Sequence, residues 1–163
     1  MDLPFKIDLS GKTVVVTGGG GVLCGGFAKD LARQGVKVAI LDLRLEAAQK
    51  VADEIIAEGF EAIGVACNVL EKESLENARI EINEKLGKCD VLINGAGGNH
   101  PMANTKDEYC NPQALNEGGS FFDMKRDGFT KVFDLNLWGT VLPSRIFSKD
   151  MVSKSGCSII NIS

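Results

Sequence analysis

Apolar and polar positions follow two different periods along this chain, and the first change of period is the most informative. Val14–Val16 form an uninterrupted β-branched run, which is typical of a strand buried on both faces. Four glycines, Gly18–Gly21, end that run, and a helical pattern follows at once. Leu23, Phe27 and Leu31 recur every four residues with two alanines beside them, so we expect this apolar stripe to face the first strand.

The same unit of strand and helix repeats through the middle of the chain. Further apolar runs predict strands over Val36–Leu41, Ala62–Ala66 and Val91–Ile93. Amphipathic helical patterns separate these runs, and one of them starts near Leu45. This alternation predicts an α/β fold with a Rossmann-type, doubly wound parallel sheet covered by helices on both faces. The length of 163 residues fits one domain over residues 1–163.

Small or polar residues stand at the carboxyl end of each predicted strand, where ligands of such sheets bind. The glycine run precedes a helix N-terminus, so main-chain amides and the helix dipole could hold a diphosphate. Asp42 ends the second strand 21 residues after the last glycine of the run and could accept hydrogen bonds from an adenosine ribose. Asn68 follows the third strand and Asn94–Gly97 includes the end of the fourth. The strict G-x-G-x-x-G pattern is not met, because Leu23 or Cys24 stands at its last glycine; a simple glycine turn and an exposed turn acid are the alternative interpretations.

Composition narrows the function mainly by exclusion. A formal net charge of −4 without a basic cluster disfavours nucleic acid as a partner, so a phosphate-bearing ligand would be held by the backbone. The N-terminus lacks an apolar signal core, and no stretch approaches the length of a bilayer span. We therefore expect a cytoplasmic protein without a membrane partner.

The five cysteines are odd in number and widely spaced, which is typical of reduced, mostly buried thiols. They are Cys24, Cys67, Cys89, Cys110 and Cys157. His100 is the only histidine and no Cys-x-x-Cys pair exists, so we expect no metal site. For the same reason, a cysteine nucleophile would lack an obvious histidine base.

A long polar segment, residues 98–127, separates the fourth strand from the next helical pattern. A loop of this length inside a compact domain is commonly a functional lid or else disordered. Because it follows the carboxyl end of the fourth strand, at the edge of the sheet where ligands bind, we predict that it shapes the substrate pocket. Asn99, His100, Asn104 and Lys106 are candidate contacts to the substrate, and ordinary surface polarity or partial disorder is the alternative for each of them.

Together, these strand ends resemble the short-chain dehydrogenase/reductase family. Thr17-Gly18 begins that family's Thr-Gly-x-x-x-Gly-x-Gly turn, although Val22 and Cys24 occupy its two later glycine positions. Asn94-Gly95-Ala96-Gly97 resembles the family's Asn-Asn-Ala-Gly segment after the fourth strand. Asp134–Gly139 resembles its asparagine-centred motif on a long fourth helix.

The resemblance implies a dinucleotide cofactor and the residues that would contact it. The cofactor-binding candidates are Gly18, Gly20, Gly21, Leu23, Asp42, Asn68, Val69, Asn94, Ala96 and Gly97. Asn68 stands where the family usually has an aspartate that reaches the adenine amino group, and an amide oxygen can still accept that bond. Asn136 is the catalytic candidate and would hold a water molecule in the proton relay. Asp42 would repel a 2′-phosphate, which favours NAD over NADP, while Arg44 keeps NADP possible.

Details of the glycine turn, the segment after the fourth strand and the long insertion are most similar to the D-mannonate oxidoreductase branch of that family. This likeness implies an oxidoreductase that transfers a hydride between NAD(H) and a secondary alcohol or ketone of a sugar acid, D-mannonate and D-fructuronate being the implied pair. Full-length members often form homo-oligomers through their fourth and fifth helices, which implies the same for a full-length parent of this chain.

The resemblance stops short of the family's main catalytic residues. The family's proton donor lies in a Tyr-x-x-x-Lys helix, whereas the only tyrosine here is Tyr109, with Gln113 four residues later. Cys157–Ser163 resembles the fifth strand, and Ser163 occupies the first place of a Ser-Ser pair whose second member is usually catalytic. We therefore expect this chain to be the cofactor-binding part of a larger enzyme, with the C-terminal part of the fold missing, and to be inactive alone. A non-catalytic dinucleotide-binding module and a structural or interaction protein that keeps only the sheet stay open as alternatives.

Overall fold

A parallel sheet lies at the centre of the computed structural model, which describes residues 7–109, 112–113 and 118–162. Its strands are β1 (Thr13–Thr17), β2 (Lys37–Asp42), β3 (Ala62–Ala66), β4 (Val91–Asn94) and β5 (Ser158–Asn161). They are all parallel and lie in the order β3-β2-β1-β4-β5. This order reverses direction between β1 and β4, as in a doubly wound sheet, so the predicted Rossmann-type fold is confirmed.

Helices cover the sheet on both faces. They are α1 (Val22–Ala32), α2 (Leu45–Ala57), α3 (Lys72–Lys85), α4 (Arg126–Phe133) and α5 (Gly139–Phe147). A π-helical segment of five residues, Asp134–Trp138, joins α4 to α5. Short 3-10 turns cover Pro101–Ala103, Phe121–Asp123 and Ser148–Asp150. No helix among the described residues combines the length and the apolar character that a bilayer crossing needs.

The β-branched run in β1 contributes to two separate cores, because successive strand residues point to opposite faces of a sheet. Val14, Val16 and Ile40 are buried against α1 and α2. Val15 and Leu41 are buried on the other face, against α3 and α5. All five side chains are at most 1% exposed, which explains the unbroken apolar pattern of these strands.

The predicted buried stripe of α1 is correct for its two alanines, Ala28 and Ala32, and for Leu31, which packs partly buried against the core, but it is wrong for Leu23 and Phe27. The side chains of Leu23 and Phe27 are 59% and 37% exposed, and the residues that α1 buries are the small ones, Cys24, Gly25, Ala28 and Ala32. The physical reason is the close approach of α1 to the glycine turn. A Cβ at Gly25 would lie 3.1 Å from the Gly19 carbonyl oxygen, so only small side chains fit on this face.

The register brings the polar strand ends to one edge of the sheet. Thr17 pairs with Asn94, and Asn94 pairs with Asn161. The described part of the 98–127 insertion begins at this edge, and its turn at Met102 packs on α4 so closely that a Cβ at Gly128 would lie 2.6 Å from main-chain atoms of Met102. Within the insertion, residues 110–111 and 114–117 lie outside the described residues, and so does Ser163, the expected first serine of the pair.

Candidate functional site

The glycine turn after β1 has a backbone path that one of its glycines requires. Gly18 has a φ of +65°, a region that side-chain-bearing residues rarely adopt. A Cβ at Gly18 would also lie 2.9 Å from main-chain atoms of Ala96. The turn is closed by a hydrogen bond from the Gly21 amide to the Gly18 carbonyl at 3.1 Å. Glycine is therefore required at position 18 both by the backbone conformation and by the close packing against Ala96.

The N-terminus of α1 presents main-chain donors that no described residue uses. Gly21 is the N-cap residue and provides no side-chain hydrogen bond. The amides of Val22, Leu23 and Cys24 donate to no acceptor among the described residues, while the Gly25 amide begins the helical bonding by donating to Gly21. Three free amides at the positive end of a helix form a site for an anion such as a diphosphate.

The two residues that replace glycines of the family's turn, Val22 and Cys24, both line the cleft but differ in exposure. The side chain of Val22 is 99% exposed and lies at the edge of the cleft in front of the turn. Cys24 is buried, and a Cβ at Gly95 would overlap its Sγ atom. Gly95 is therefore what leaves room for Cys24. The larger side chain at position 24 of α1 is thus accommodated because position 95, after β4, has no side chain.

Asp42, at the end of β2, lies half-buried beside the turn with both carboxylate oxygens oriented by the main chain. Oδ2 accepts a hydrogen bond from the Gly20 amide at 3.1 Å, and Oδ1 accepts one from the Arg44 amide at 3.1 Å. A carboxylate has about four acceptor positions, so acceptor capacity is left for ribose hydroxyls. Asp42 and Arg44 both line the cleft.

Thr17 ties the turn to the end of β4. Its hydroxyl oxygen, fully buried, accepts hydrogen bonds from the Gly95 and Ala96 amides at 3.1 and 3.2 Å. This fixes the chain after β4 against β1, and Ala96 and Gly97 then line the cleft. The sequence pattern indicated Thr17 only as the start of the turn, and the two hydrogen bonds that it accepts were not foreseen.

Asn136 lies in the π-helical segment and holds the chain that follows β4. Its Nδ2 donates to the carbonyls of Gly98 and Val132 at 2.8 Å each, and its Oδ1 accepts from the Gly98 amide at 3.1 Å. A Cβ at Gly97 would lie 2.6 Å from Asn136 Oδ1, so glycine is needed there. The Asn136 carbonyl accepts a hydrogen bond from the Thr140 hydroxyl at 2.9 Å. π-Helical turns are frequent at functional sites.

These elements enclose a cleft of 710 Å³ at the carboxyl edge of the sheet, within the range of about 300–1,000 Å³ usual for ligand pockets. Eight of the ten predicted cofactor-binding residues line it: Gly18, Gly21, Leu23, Asp42, Asn68, Val69, Ala96 and Gly97. Gly20 and Asn94 are not among its lining residues, nor is Asn136. Asn94 is 2% exposed and lies beneath the cleft, where its Nδ2 donates to Ser144 Oγ and Asn161 Oδ1 at 2.9 Å each.

Asn68 lines the cleft after β3, but its side chain is already engaged. Its Oδ1 accepts from the Leu70 amide at 3.1 Å, and its Nδ2 donates to Glu71 at 2.9 Å. Val69 beside it is buried, and its Cγ2 would lie 3.1 Å from a Cβ at Gly139, which explains the glycine at the start of α5. An adenine at this position would meet one remaining lone pair of the Asn68 oxygen and the apolar surface of Val69.

The insertion contributes two of its four predicted contacts to the cleft. Asn99 and His100 line it, whereas Asn104 and Lys106 do not. Sequence reasoning missed Lys131 and Asp134, which line the cleft from α4 and the π-helical segment. Asp134 is the first residue of the asparagine-centred motif, so the motif could have indicated that it lies near the cleft. Lys131 belongs to no motif that was recognised in the sequence.

The described thiols are buried or half-buried and free. Burial raises the pKa of Cys67 to about 11 and that of Cys89 to about 12, and it also raises the pKa of Cys24. These thiols are therefore protonated at neutral pH, and their burial agrees with the prediction of mostly buried thiols. Cys110 lies outside the described residues. Among the described residues, no three His, Cys, Asp or Glu side chains are grouped so that they could hold a metal ion.

A protein-family model described as short chain dehydrogenase matches residues 12–163. An uncharacterized oxidoreductase of Haemophilus influenzae is 44% identical over the whole chain, and an uncharacterized oxidoreductase of Bacillus subtilis, UxuB, is 47% identical over 99% of it. The chain spans 57% of the length of each of these relatives. The more distant 7alpha-hydroxysteroid dehydrogenase of Escherichia coli is 28% identical over 96% of this chain, and the match covers 54% of that relative's length.

Solved structures of similar oxidoreductases superimpose on this chain. A crystal structure from Haemophilus influenza with bound NAD, of a protein provisionally assigned as a D-mannonate oxidoreductase, superimposes with a TM-score of 0.91 at 46% identity. That match covers 96% of this chain and 56% of the other. A metagenomic short-chain oxidoreductase in complex with NADP superimposes with a TM-score of 0.78 at 28% identity, covering 96% of this chain and 64% of that one.

Proposed function

The chain belongs to the short-chain dehydrogenase family, and from that premise we propose that it forms the cofactor site of an NAD-dependent sugar-acid dehydrogenase. The reaction that we propose is hydride transfer between NAD(H) and a secondary alcohol or ketone of a sugar acid, with D-mannonate and D-fructuronate as the pair. Because the chain spans 57% of its relatives, the proposal concerns the whole enzyme that carries these residues.

The position of Asp42 is the observation that favours NAD over NADP as the cofactor. Its carboxylate lines the cleft 3.1 Å from the glycine-turn amide of Gly20, beside the free amides that would hold the diphosphate. An acid held there accepts hydrogen bonds from both ribose hydroxyls and repels a 2′-phosphate. The NAD bound to the structure from Haemophilus supports this choice. Arg44, which also lines the cleft, is exposed and is the side chain that a 2′-phosphate would meet instead.

The residues of the chain fit a dinucleotide along the length of the cleft. The amides of Val22, Leu23 and Cys24 would hold the diphosphate, and Val69 would pack against the adenine. When bound, NAD supplies the acceptor of the hydride. Asn136 is not a lining residue, but it fixes Gly98, which is one, and we propose that it orients a water molecule for the proton relay.

The proton that balances the hydride transfer needs a donor other than Tyr109. This is the only tyrosine of the chain, its side chain is 78% exposed, and it does not line the cleft. We therefore propose that the 163 residues alone bind the dinucleotide but do not turn over a sugar acid. Lys131 and His100, both at the cleft, offer a cation and a hydrogen-bond donor for the carboxylate and hydroxyls of such a substrate.

Dinucleotide affinity tests the cofactor site directly. Isothermal titration calorimetry of the protein should give tighter binding of NAD than of NADP. Asp42→Ala should weaken NAD by about 10- to 100-fold, because hydrogen bonds to a charged acceptor are worth about 1.5–3 kcal/mol, and should leave NADP unchanged or tighter. A wild-type protein that binds neither dinucleotide would contradict the proposal and favour a structural role for the sheet.

Turnover of sugar acids tests the substrate. The complete gene product should reduce NAD with D-mannonate and oxidise NADH with D-fructuronate, in a panel of sugar acids and their keto forms. Activity with sterols or simple alcohols but with none of the sugar acids would refute the substrate class. Binding of NAD by the complete product without any turnover would instead indicate a non-catalytic dinucleotide-binding module.

We also propose a homo-oligomer and a cytoplasmic location for the whole enzyme. Large apolar side chains lie exposed along α4, the π-helical segment and α5, among them Phe133 and Leu137 at 64% and 59%. Such a face supports an interface with a second copy. The free, protonated thiols support a reducing compartment.

A further inference from the structure

Gly20 lies in the glycine turn but reaches the cofactor site through another residue. Its amide donates to Asp42 Oδ2 at 3.1 Å, while the Arg44 amide donates to Oδ1 at 3.1 Å. Gly20 does not line the cleft itself. The two amides therefore fix the orientation of the carboxylate before any ligand binds, and one of them belongs to Gly20.

Position 20 has no room for a side chain. A Cβ there would lie 2.8 Å from Asp42 Oδ2 and 2.7 Å from the Cβ of Ala47 in α2. The φ angle of Gly20 is not in the left-handed region, so its backbone conformation is open to alanine. The need for glycine thus arises from the neighbouring carboxylate and α2, and it is not a matter of backbone strain.

We propose that Gly20 is a positioning residue that sets the cofactor specificity of the site through Asp42. The proposal rests on the proposed function, since it assumes that a dinucleotide ribose lies against Asp42. A carboxylate held by an amide on each oxygen keeps its free acceptor positions aimed at the ribose hydroxyls. It also cannot rotate away without losing both hydrogen bonds, so a 2′-phosphate meets a fixed negative charge.

The test is the pair of dissociation constants for NAD and NADP, measured by isothermal titration calorimetry on the wild-type protein and on Gly20→Ala. The added methyl group should displace the Asp42 carboxylate and weaken NAD by about tenfold or more, the usual effect of losing hydrogen bonds to a charged group. NADP should bind as in the wild type or more tightly, because the fixed charge has moved. The preference for NAD should therefore fall by at least the same factor.

A matched control lies six residues further along the chain. A Cβ at Gly26, inside α1, would meet no atom within 4 Å, so Gly26→Ala should leave both dissociation constants unchanged. Thermal unfolding of each variant reports whether it folds. If Gly20→Ala fails to fold, Gly20→Ala/Ala47→Gly removes the contact of 2.7 Å with the Ala47 Cβ, leaves one of 3.0 Å with the main-chain carbonyl carbon of residue 47, and keeps the overlap with Asp42. This double variant should fold and should show the same loss of preference.

A double-mutant cycle shows whether Gly20 acts through Asp42. In an Asp42→Ala background, Gly20→Ala should change the NAD dissociation constant by less than about twofold, because the carboxylate through which Gly20 acts is gone and the two effects are therefore not additive. A full loss of affinity in that background would overturn the proposal, since the methyl group would then act on the turn amides. An unchanged preference in Gly20→Ala, or its recovery on adding Ala47→Gly, would overturn it as well. A wild-type protein that binds neither dinucleotide would refute the proposed function and this inference together, whereas the other outcomes concern Gly20 alone.

Discussion

Cys24 and Gly95 share one volume in the structure, and this pair offers a direct test of how the turn tolerates its unusual sequence. The family pattern has a glycine at position 24 and an asparagine at position 95, and this chain has the larger and smaller residues exchanged. Cys24 is 5% exposed, and a Cβ at position 95 would overlap its Sγ. Gly95→Ala is therefore the perturbation to make, because the added methyl group would occupy space that the Cys24 sulfur fills.

The expected loss follows from overpacking. Extra carbon atoms in a packed core cost about 1–3 kcal/mol, and we expect about 2 kcal/mol for Gly95→Ala. For a chain of this size that loss lowers the melting temperature by about 4–8 °C. In a Cys24→Ala background the sulfur is gone, and the nearest remaining atoms are the Thr17 carbonyl oxygen at 3.1 Å and the Cβ of residue 24 at 3.5 Å. The same substitution should then cost about 1 kcal/mol less, which is a typical coupling energy for residues in contact.

The assay is urea unfolding of wild type, both single variants and the double variant, under reducing conditions at neutral pH. Gly26→Ala serves as the control for adding a methyl group to this region, since it meets no atom within 4 Å. The reasoning is refuted if Gly95→Ala is as costly without the Cys24 sulfur as with it, within about 0.5 kcal/mol. Glycine at position 95 would then be needed for its backbone conformation and not because it leaves space for the Cys24 side chain.

Three further variants test the polar contacts that hold the fold. Thr17→Val keeps the shape but leaves two half-buried amides without an acceptor, which should cost about 1 kcal/mol in urea unfolding and weaken NAD binding in calorimetry. Burial works to raise the pKa of Asp90, but hydrogen bonds from Lys154 and a main-chain amide lower it below its usual value. The stability that Asp90 adds should be present above its unfolded pKa of about 3.9 and lost as the pH falls through its lower folded pKa, so Asp90→Asn should cost about 1 kcal/mol at pH 7 and progressively less as the pH falls below the unfolded pKa, measured by melting against pH. Arg79→Met leaves the fully buried Asp150 carboxylate without its guanidinium and should cost about 3 kcal/mol in urea unfolding, while a double variant with Asp150→Leu should cost less.

The sheet could be predicted from the sequence because its signals are local. The valine run of β1 is bounded by glycines, and the predicted bounds of Ala62–Ala66 and the start of α2 at Leu45 agree with the structure. Parallel strands then bring their carboxyl ends to one edge, which is why Asp42 and Asn68 could be assigned to the cleft before any coordinates.

The features that the sequence did not show depend on contacts between distant segments. Leu23 is exposed because α1 approaches the glycine turn closely, and the helical period of apolar residues gives no information about that approach. The π-helical segment adds one residue to a turn around Asn136, and a hydrophobic pattern cannot reveal such an insertion. The motif also named Gly20 and Asn94 without indicating that each lies behind the surface of the cleft.

Asn94 shows why a residue of the motif need not touch the ligand to serve the site. Its Nδ2 donates to Asn161 of β5 and to Ser144 of α5 at 2.9 Å each. The Ser144 hydroxyl donates to the Thr140 carbonyl at 2.8 Å, and the Thr140 hydroxyl donates to the Asn136 carbonyl at 2.9 Å. Asn94 is buried, so a shift of its side chain would leave its amide nitrogen without partners, and these hydrogen bonds thus link β4, β5 and α5 to Asn136. Asn94 therefore holds the strand ends in place, and the cleft owes its shape to a hydrogen-bonded chain that lies beneath it.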